Sequence, residues 1–334
     1  FSMVDKLNNK KSLFCLGLFG MMIQAQAEVL VILPESGPMA RAGNSIKLGI
    51  VSAQQSSTSK IPLKFVNSDQ KRISDILKQN INSKTQMIIG PLARTDVESL
   101  IQQKPKIPVL ALNEVSMSHS NVWQYSLSKD ADADAMIAVL ERDKIQNIYI
   151  MRQKGMEADT LSFVNALYKK YQGHVAIVDQ VPQIQAKDGI LLLGDNTWIN
   201  SLTRLPKRNI YAQAISIEDN KTMPIGLTFC DVPAVYQTKW SDVVNTYKQN
   251  PTTLPFQRLY AFGGDAWQIA EQFVLNPNLD KLKFSGRTGQ IQITDDKVAR
   301  VPACYKNTAK GLVEQASFSH KILSQLNMSH LIQN

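Results

Sequence analysis

The sequence predicts an α/β protein built as two doubly wound parallel-sheet lobes. Three observations carry that reading. The chain has 334 residues, too many for one ordinary core and about right for two. Its 44% hydrophobic and 19% charged content is that of a globular protein. Short, continuous apolar runs alternate with amphipathic stretches, and they do so in two successive series.

The first residues stand apart from that pattern. Lys6, Lys10 and Lys11 precede an apolar run, Leu13–Ile23, and Ala25-Gln26-Ala27 follows in the small-x-small arrangement cut by a signal peptidase. The run is about half the roughly 20 residues of a spanning helix, so residues 1–27 are expected to be a cleaved Sec signal. No other run approaches spanning length. Cys15, preceded by Phe14, does not sit in the small-residue context of a lipidation site and is expected to leave with the signal. The formal charge of +9 falls to +7 once Lys6, Lys10, Lys11 and Asp5 are gone. The remaining Lys and Arg are scattered, with no aromatic-interleaved basic motif, which argues against nucleic acid and for a solvated basic surface.

The strands of the first series are expected at Val29–Leu33, Leu63–Val66, Met87–Ile89 and Val109–Leu112, each an apolar run suited to burial on both faces. Helical spacing appears at Ala42, Ile46, Ile50 and Ala53, then at Val97, Leu100 and Ile101. The second series has strands at Ile148–Met151, Val175–Val178, Ile190–Leu193, Ile210–Ala212 and Leu227–Cys230. Its helices fall at Ala133, Met136, Ile137 and Leu140, and at Leu161, Val164, Leu167, Tyr168 and Tyr171. Two helical stretches follow, at 238–249 and 261–274. A hairpin comes next, Thr288–Thr294 and Val298–Tyr305, turning at Asp295-Asp296. The last 25 residues or so are polar and read as a frayed tail. Cys230 and Cys304 remain after processing. An even count in an oxidising compartment suggests a disulfide, with two buried thiols as the alternative.

The first strand ends in Pro34-Glu35-Ser36-Gly37-Pro38, and a helix begins. Ligands of open α/β sheets bind at this carboxyl edge, where helix N-termini favour anions; a plain tight turn is the competing reading. This opening resembles that of type I periplasmic binding proteins. Further blocks narrow the resemblance: Ile88-Ile89-Gly90-Pro91-Leu92, Val109-Leu110-Ala111-Leu112-Asn113, Tyr125-Ser126-Leu127-Ser128, and Thr228-Phe229-Cys230-Asp231-Val232-Pro233. The most specific are Arg258-Leu259-Tyr260-Ala261 through Asp265-Ala266-Trp267, and Ser285-Gly286-Arg287-Thr288-Gly289. Over about residues 28–315 the chain is similar to the C-terminal domain of the LppC/LpoA family, lipoprotein activators of bifunctional penicillin-binding proteins. Full-length members carry a helical-repeat domain ahead of this one and a lipidated cysteine; neither pattern is found in these 334 residues.

The resemblance implies a type I periplasmic binding protein-like fold, two lobes joined by three crossing strands. Residues 28–126 and 234–300 would form lobe 1, residues 127–233 and 301–315 lobe 2, and 316–334 a polar tail. The crossings would lie near Trp123–Leu127, Cys230–Ala234 and Val301–Tyr305. That puts Cys230 and Cys304 on neighbouring crossings, in a disulfide closing a loop of about 74 residues, for which chain entropy gives roughly 4 kcal/mol. Such a bond would restrict opening and closing of the cleft. The cleft would be lined by Ser36, Gly37, Gly90, Pro91, Leu92, Asn113, Glu114, Ser116 and Ser118. In amino-acid-binding relatives hydroxyls of the last loop hold an α-carboxylate; Ser116 and Ser118 could do so, and Glu114 would oppose it by like charge.

Catalytic motifs are not visible. His119, His174, His320 and His330 lack metal-ligand spacing, and no nucleophile elbow, Walker loop or zinc motif occurs. The expectation is therefore no enzyme, no metal and no cofactor. The resemblance implies a periplasmic regulator of peptidoglycan synthesis that activates a class A penicillin-binding protein, with peptidoglycan as a further partner. It would be soluble or associated with the outer membrane. Trp198 and Trp240 are contact candidates, with core positions as the alternative. The competing function is a solute-binding protein that delivers an amino acid or similar small polar metabolite to an ABC importer.

Overall fold

In the computed structural model residues 26–316 are described; nearly all of the expected signal segment, with Cys15, and the tail beyond Ala316, with His320 and His330, lie outside the described residues. The first series gives β1 (Glu28–Leu33), α1 (Ala40–Ser56), β2 (Leu63–Asn67), α2 (Ile73–Asn80), β3 (Thr85–Ile89), α3 (Arg94–Gln102), β4 (Val109–Ala111) and β5 (Val122–Gln124). These five strands are parallel, in the order β2-β1-β3-β4-β5. Continuous apolar runs suit them because both faces are covered. Val29, Val31 and Leu33 of β1 pack with Ile46 and Ile50 of α1, while Leu30 and Ile32 pack with Ile76 of α2 and Val97 and Leu100 of α3.

The second series gives α4 (Lys129–Arg142), β6 (Asn147–Arg152), α5 (Glu157–Lys170), β7 (His174–Ile177), β8 (Asp188–Leu193), α6 (Asn196–Ser201), β9 (Ile210–Gln213) and β10 (Leu227–Asp231). Its strands are again parallel, in the order β7-β6-β8-β9-β10. α4 and α5 cover one face through Met136, Leu140, Phe163 and Leu167. Ile199 of α6 and Ile217 cover the other.

After β10 the chain returns to the first half as α7 (Ser241–Gln249) and α8 (Leu254–Leu275). α8 lies directly on α1: a Cβ on Gly49 would come within 2.1 Å of the Tyr260 carbonyl oxygen, and one on Gly263 within 2.2 Å of that of Ile46. Glycine is required at both positions for the two backbones to approach so closely. Then β11 (Lys281–Gly286), β12 (Gly289–Thr294) and β13 (Lys297–Val301) add an antiparallel ribbon to the first sheet, with β13 parallel to β5. β14 (Ala303–Thr308) and β15 (Gly311–Glu314) add antiparallel strands to the second sheet beside β10. The chain thus passes between sheets after β5, after β10 and between β13 and β14.

Several details differ from the sequence reading. The sheets are mixed, because the late strands join antiparallel. α2, β5, α6, β11 and β15 are additions to it, and the strand expected at Val298–Tyr305 is divided at Pro302 into β13 of the first sheet and β14 of the second. The additions are short, and Lys281-Leu-Lys-Phe-Ser-Gly alternates polar and apolar in place of an apolar run. β15 falls within the stretch expected to fray. α8 begins at Leu254, seven residues before the expected start, because Pro255 in a first helical turn needs no N–H partner. On α5 the buried face is Phe163, Val164 and Leu167; Leu161 and Tyr168 are exposed.

Candidate functional site

The carboxyl edge of the first sheet is occupied by the chain's own groups. The Ser36 hydroxyl donates to Asp69 Oδ2 at 2.9 Å and accepts from Asn67 Nδ2 at 2.8 Å. Gly37 has φ of +74°, and a Cβ there would stand 2.5 Å from Asp69 Oδ1. Gly90, at φ of +98°, lies against the Ile32 carbonyl, and Pro91 and Leu92 are buried behind it. Asn113 donates from Nδ2 to the Leu92 carbonyl at 2.9 Å. Ser36, Gly37, Gly90, Pro91, Leu92 and Asn113 therefore shape the edge, and none of them walls either of the two large cavities between the sheets.

Glu114, Ser116 and Ser118 do come together. They line a cavity of about 630 Å³ with Ser126, Ser128, Asp130 and Asp134 on the α4 side and Asp295, Asp296 and Lys297 from the β12–β13 turn. The buried amide of Gln124 holds their loop in shape: Oε1 accepts from Val115 N at 2.7 Å, and Nε2 donates to the Met117 carbonyl at 2.7 Å. Desolvation pushes the Glu114 carboxyl up from its usual value, Asp130 adding to the rise while the Ser126 hydroxyl, Lys297 and Arg300 oppose it. Asp134 is raised for the same first reason, against the pull of Lys170.

A second cavity of about 630 Å³ opens between the start of α8 and the loop after β9. Leu127, Ile215, Ile217, Val232, Leu254 and Pro255 form its apolar wall. Its charged groups are tied to one another across the two halves. Arg258 holds Asp231 with Nε to Oδ1 and Nη2 to Oδ2, both at 2.8 Å, and Nη2 also donates to the Ala214 carbonyl at 3.0 Å. The Tyr236 hydroxyl donates to Asp231 Oδ2 at 2.6 Å, and burial together with that carboxylate pushes its ionisation far up. Asp219 Oδ2 accepts from Leu254 N at 3.0 Å, so a residue of the second half caps the first turn of α8. Arg300 donates from Nη2 to Asp132 at 2.9 Å and from Nη1 to the Thr288 carbonyl at 3.1 Å. Sequence reasoning missed Asp219, Arg258 and Arg300 as a set, although Asp231 and Arg258 both stand in the quoted blocks.

The most specific of those blocks forms a structural clasp. Asp265 is fully buried on α8. Its Oδ1 accepts from Arg287 N at 2.8 Å, and its Oδ2 from Thr288 N at 2.8 Å and the Thr288 hydroxyl at 2.7 Å. Burial raises its carboxyl while Arg287 and Thr288 pull the other way. Arg287 in turn reaches Asp242 of α7 at 2.8 Å and Gln268 at 2.9 Å, and Tyr125 shares a 2.7 Å hydrogen bond with Thr288. One carboxylate thus ties α8, α7, the β11–β12 turn and the residue after β5. Cys230 and Cys304 stand opposite each other on β10 and β14 and are joined in a disulfide. Trp198 and Trp240 each pack, half-buried, on an apolar cluster. No helix among the described residues is long and apolar enough to cross a membrane.

Comparison with known proteins gives three findings. Residues 14–186 match the sequence family described as "LppC putative lipoprotein". The penicillin-binding protein activator LpoA of Glaesserella parasuis is 26% identical over 290 residues, covering 78% of this chain and 50% of the relative. The chain spans about half the length of the curated relatives it matches. Among solved structures, the LpoA C-domain of Haemophilus influenzae, a regulator of PBP1A, superposes with a TM-score of 0.70 at 20% identity, over 87% of this chain and 100% of that one. The leucine-binding protein LivK of Thermotoga maritima gives 0.52 at 14% identity, over 87% and 98%. The architecture is that of the type I periplasmic binding proteins.

Proposed function

The chain belongs to the LppC lipoprotein family, and from that membership we propose that it is a non-catalytic periplasmic regulator of peptidoglycan synthesis, activating a class A penicillin-binding protein by contact. Its relatives are named activators, and the solved C-domain that matches 87% of this chain over its own whole length is named a regulator of PBP1A. The observation that carries the reading here is the tie across the second cavity. Arg258 joins Asp231 and the Ala214 carbonyl, and Asp219 caps α8, so the frame of a solute receptor has its halves bound to each other by their own side chains. A receptor that closes over a solute needs those contacts free to change; a protein-binding module gains from a rigid surface.

An activator shifts its target toward the active state only by binding that state more tightly. A pulldown with the class A penicillin-binding protein of the same cell, paired with a glycan polymerisation assay, tests this. Capture of the synthase and faster polymerisation are expected; neither binding nor a rate change overturns the proposal. The second reading, solute delivery to an importer, is favoured by the likeness to the leucine-binding fold and by the two large cavities. A ligand at a hundred times its Kd stabilises by about 2.7 kcal/mol, which a thermal-shift panel of amino acids and peptides reads directly.

A further inference from the structure

The parallel strands of the second sheet all start at one edge, and the loops that feed them lie side by side. Gln146 N, before β6, donates to the Lys187 carbonyl, before β8, at 2.8 Å. The Asn209 amide, before β9, donates to the Ala186 carbonyl at 3.2 Å. Before β10, a Cβ on Gly226 would stand 2.3 Å from the Lys207 carbonyl oxygen, and the Gly226 N–H donates to the Asn307 carbonyl at 2.8 Å. β14 runs antiparallel to β10, so its turn into β15, with Lys310, lies at the same edge.

Bases far apart in the sequence are gathered there. Lys144, Lys187, Arg204, Lys207, Arg208 and Lys310 are all exposed, and none of them is in an ion pair among the described residues. The acids at these strand entries are engaged elsewhere. Asp143 accepts from Arg142 at 2.8 Å and from the Tyr211 hydroxyl at 2.7 Å, and Asp188 is buried and accepts from Asn147 at 2.8 Å. Glu141, at the end of α4, is one exposed acid against six bases. From β15 to β6 the edge runs across β15-β14-β10-β9-β8-β6, about 24 Å at roughly 4.8 Å between strands.

An array of that breadth selects its partner. A small anion is held by groups that converge in a concave site, and none of the six bases lines either large cavity between the sheets. Single-stranded nucleic acid is held by aromatic stacking, and residues 143–146, 185–187, 203–209, 224–226 and 307–311 include no aromatic. Protein interfaces have an apolar core and are poor in Lys, whereas Lys144, Lys187, Lys207 and Lys310 dominate here. The large apolar side chain exposed among them is Ile225, at 55%, beside Gly226. Clustered Lys and Arg around an exposed apolar group is the pattern that anionic bilayers attract.

We propose that this edge of the second sheet is a docking surface for an anionic lipid bilayer, the six bases meeting lipid phosphates and Ile225 entering the headgroup layer. The inference does not depend on the activator reading, and its test contains no synthase.

The experiment is sedimentation of the full chain with vesicles of phosphatidylglycerol and phosphatidylcholine, against phosphatidylcholine alone. Binding to the anionic vesicles is expected to weaken as salt rises; equal binding to the neutral vesicles overturns the proposal. Each base near an anionic surface is worth roughly fivefold in affinity. Arg204→Gln, Lys207→Gln and Arg208→Gln combined should therefore weaken binding roughly a hundredfold. Lys78→Gln, Lys106→Gln and Lys248→Gln combined remove the same charge from exposed positions of the first half, well beyond a Debye length from this edge, and should change it less than about threefold. Equal losses in the two triple variants, or no loss in the first, overturn the proposal. Ile225→Ser should weaken binding roughly fivefold. Acetylation of amines should be slowed by vesicles at Lys144, Lys187, Lys207 and Lys310 and not at Lys78; no protection at the four overturns the proposal. Polyglutamate that displaces the vesicles at equal charge concentration would point to an acidic protein and overturn it as well.

Discussion

Two cavities of equal volume lie between the sheets, and their charges are arranged in opposite ways. In the cavity beside α8, Asp231 holds the Arg258 guanidinium in a bidentate pair and takes further hydrogen bonds from Tyr236 and the backbone of Val232, while Asp219 caps a helix. In the cavity beside the 113–118 loop, Glu114 and Asp130 have no basic side chain of the described residues within ion-pair distance. The same residue types therefore do different work. A carboxylate that owns its partners is spent on architecture, because breaking a buried pair leaves an uncompensated charge. Glu114 has the Ser126 hydroxyl and the charges of Lys297 and Arg300 to set against desolvation, and its carboxyl still rises. Apolar lining decides less than this, since most protein pockets share it.

That contrast can be broken at its strongest point first. Asp265, with four hydrogen bonds from Arg287 and Thr288 on one buried carboxylate, is the extreme of the partnered class. Asp265→Ala should destabilise the fold by about 3–5 kcal/mol in urea denaturation, the range for removing one member of a buried pair. A loss below about 1 kcal/mol would mean that the clasp is ornamental. Next, Cys230→Ser with Cys304→Ser should cost roughly 2–4 kcal/mol through the freed 74-residue loop. Faster hydrogen exchange should then appear in β10 and β14 ahead of β6.

The smaller effects sharpen the difference between the cavities. Asp219→Ala removes the acceptor of the Leu254 N–H and should cost about 1 kcal/mol, the usual loss for a helix cap. Its exchange signature should lie in the first turn of α8. Glu114→Gln should stay within about 0.5 kcal/mol of the parent, and the sign should favour the variant. The Glu114 pKa is raised above the usual 4.5, so the folded state holds its proton more tightly than the unfolded one. The charged form therefore costs stability above the raised value, and the cost fades as pH falls toward 4.5 and both states become protonated. Urea midpoints of parent and variant measured from neutral to mildly acidic pH should converge. A variant less stable at neutral pH would place Glu114 in the partnered class.

Both cavities were only partly legible in the sequence. Glu114, Ser116 and Ser118 were found because they follow a strand, and strand ends carry binding loops. Ser36 and Gly37 were found by the same rule, but they are taken up by Asn67 and Asp69 at the end of β2 and in the loop after it, which no local pattern announces. Arg300 lies 168 residues from Asp132, and Arg258 lies 27 from Asp231. A single sequence does not say which of many acids will stand beside a given base.

The amino-acid sequence by itself determined the alternating strands and helices, the parallel strands of both sheets and the presence of two cysteines, Cys230 and Cys304, beyond the expected signal. Each of these rests on local periodicity, on burial on two faces, or on a small count of rare residues. Only the tertiary structure decided the rest. It turned Lys281–Gly286 and Gly311–Glu314 into edge strands, because short segments without a buried apolar run become strands only when a neighbour offers its open edge. It also decided which carboxylates are paired, because an ion pair is a matter of a few ångströms between side chains that the chain brings together from far apart.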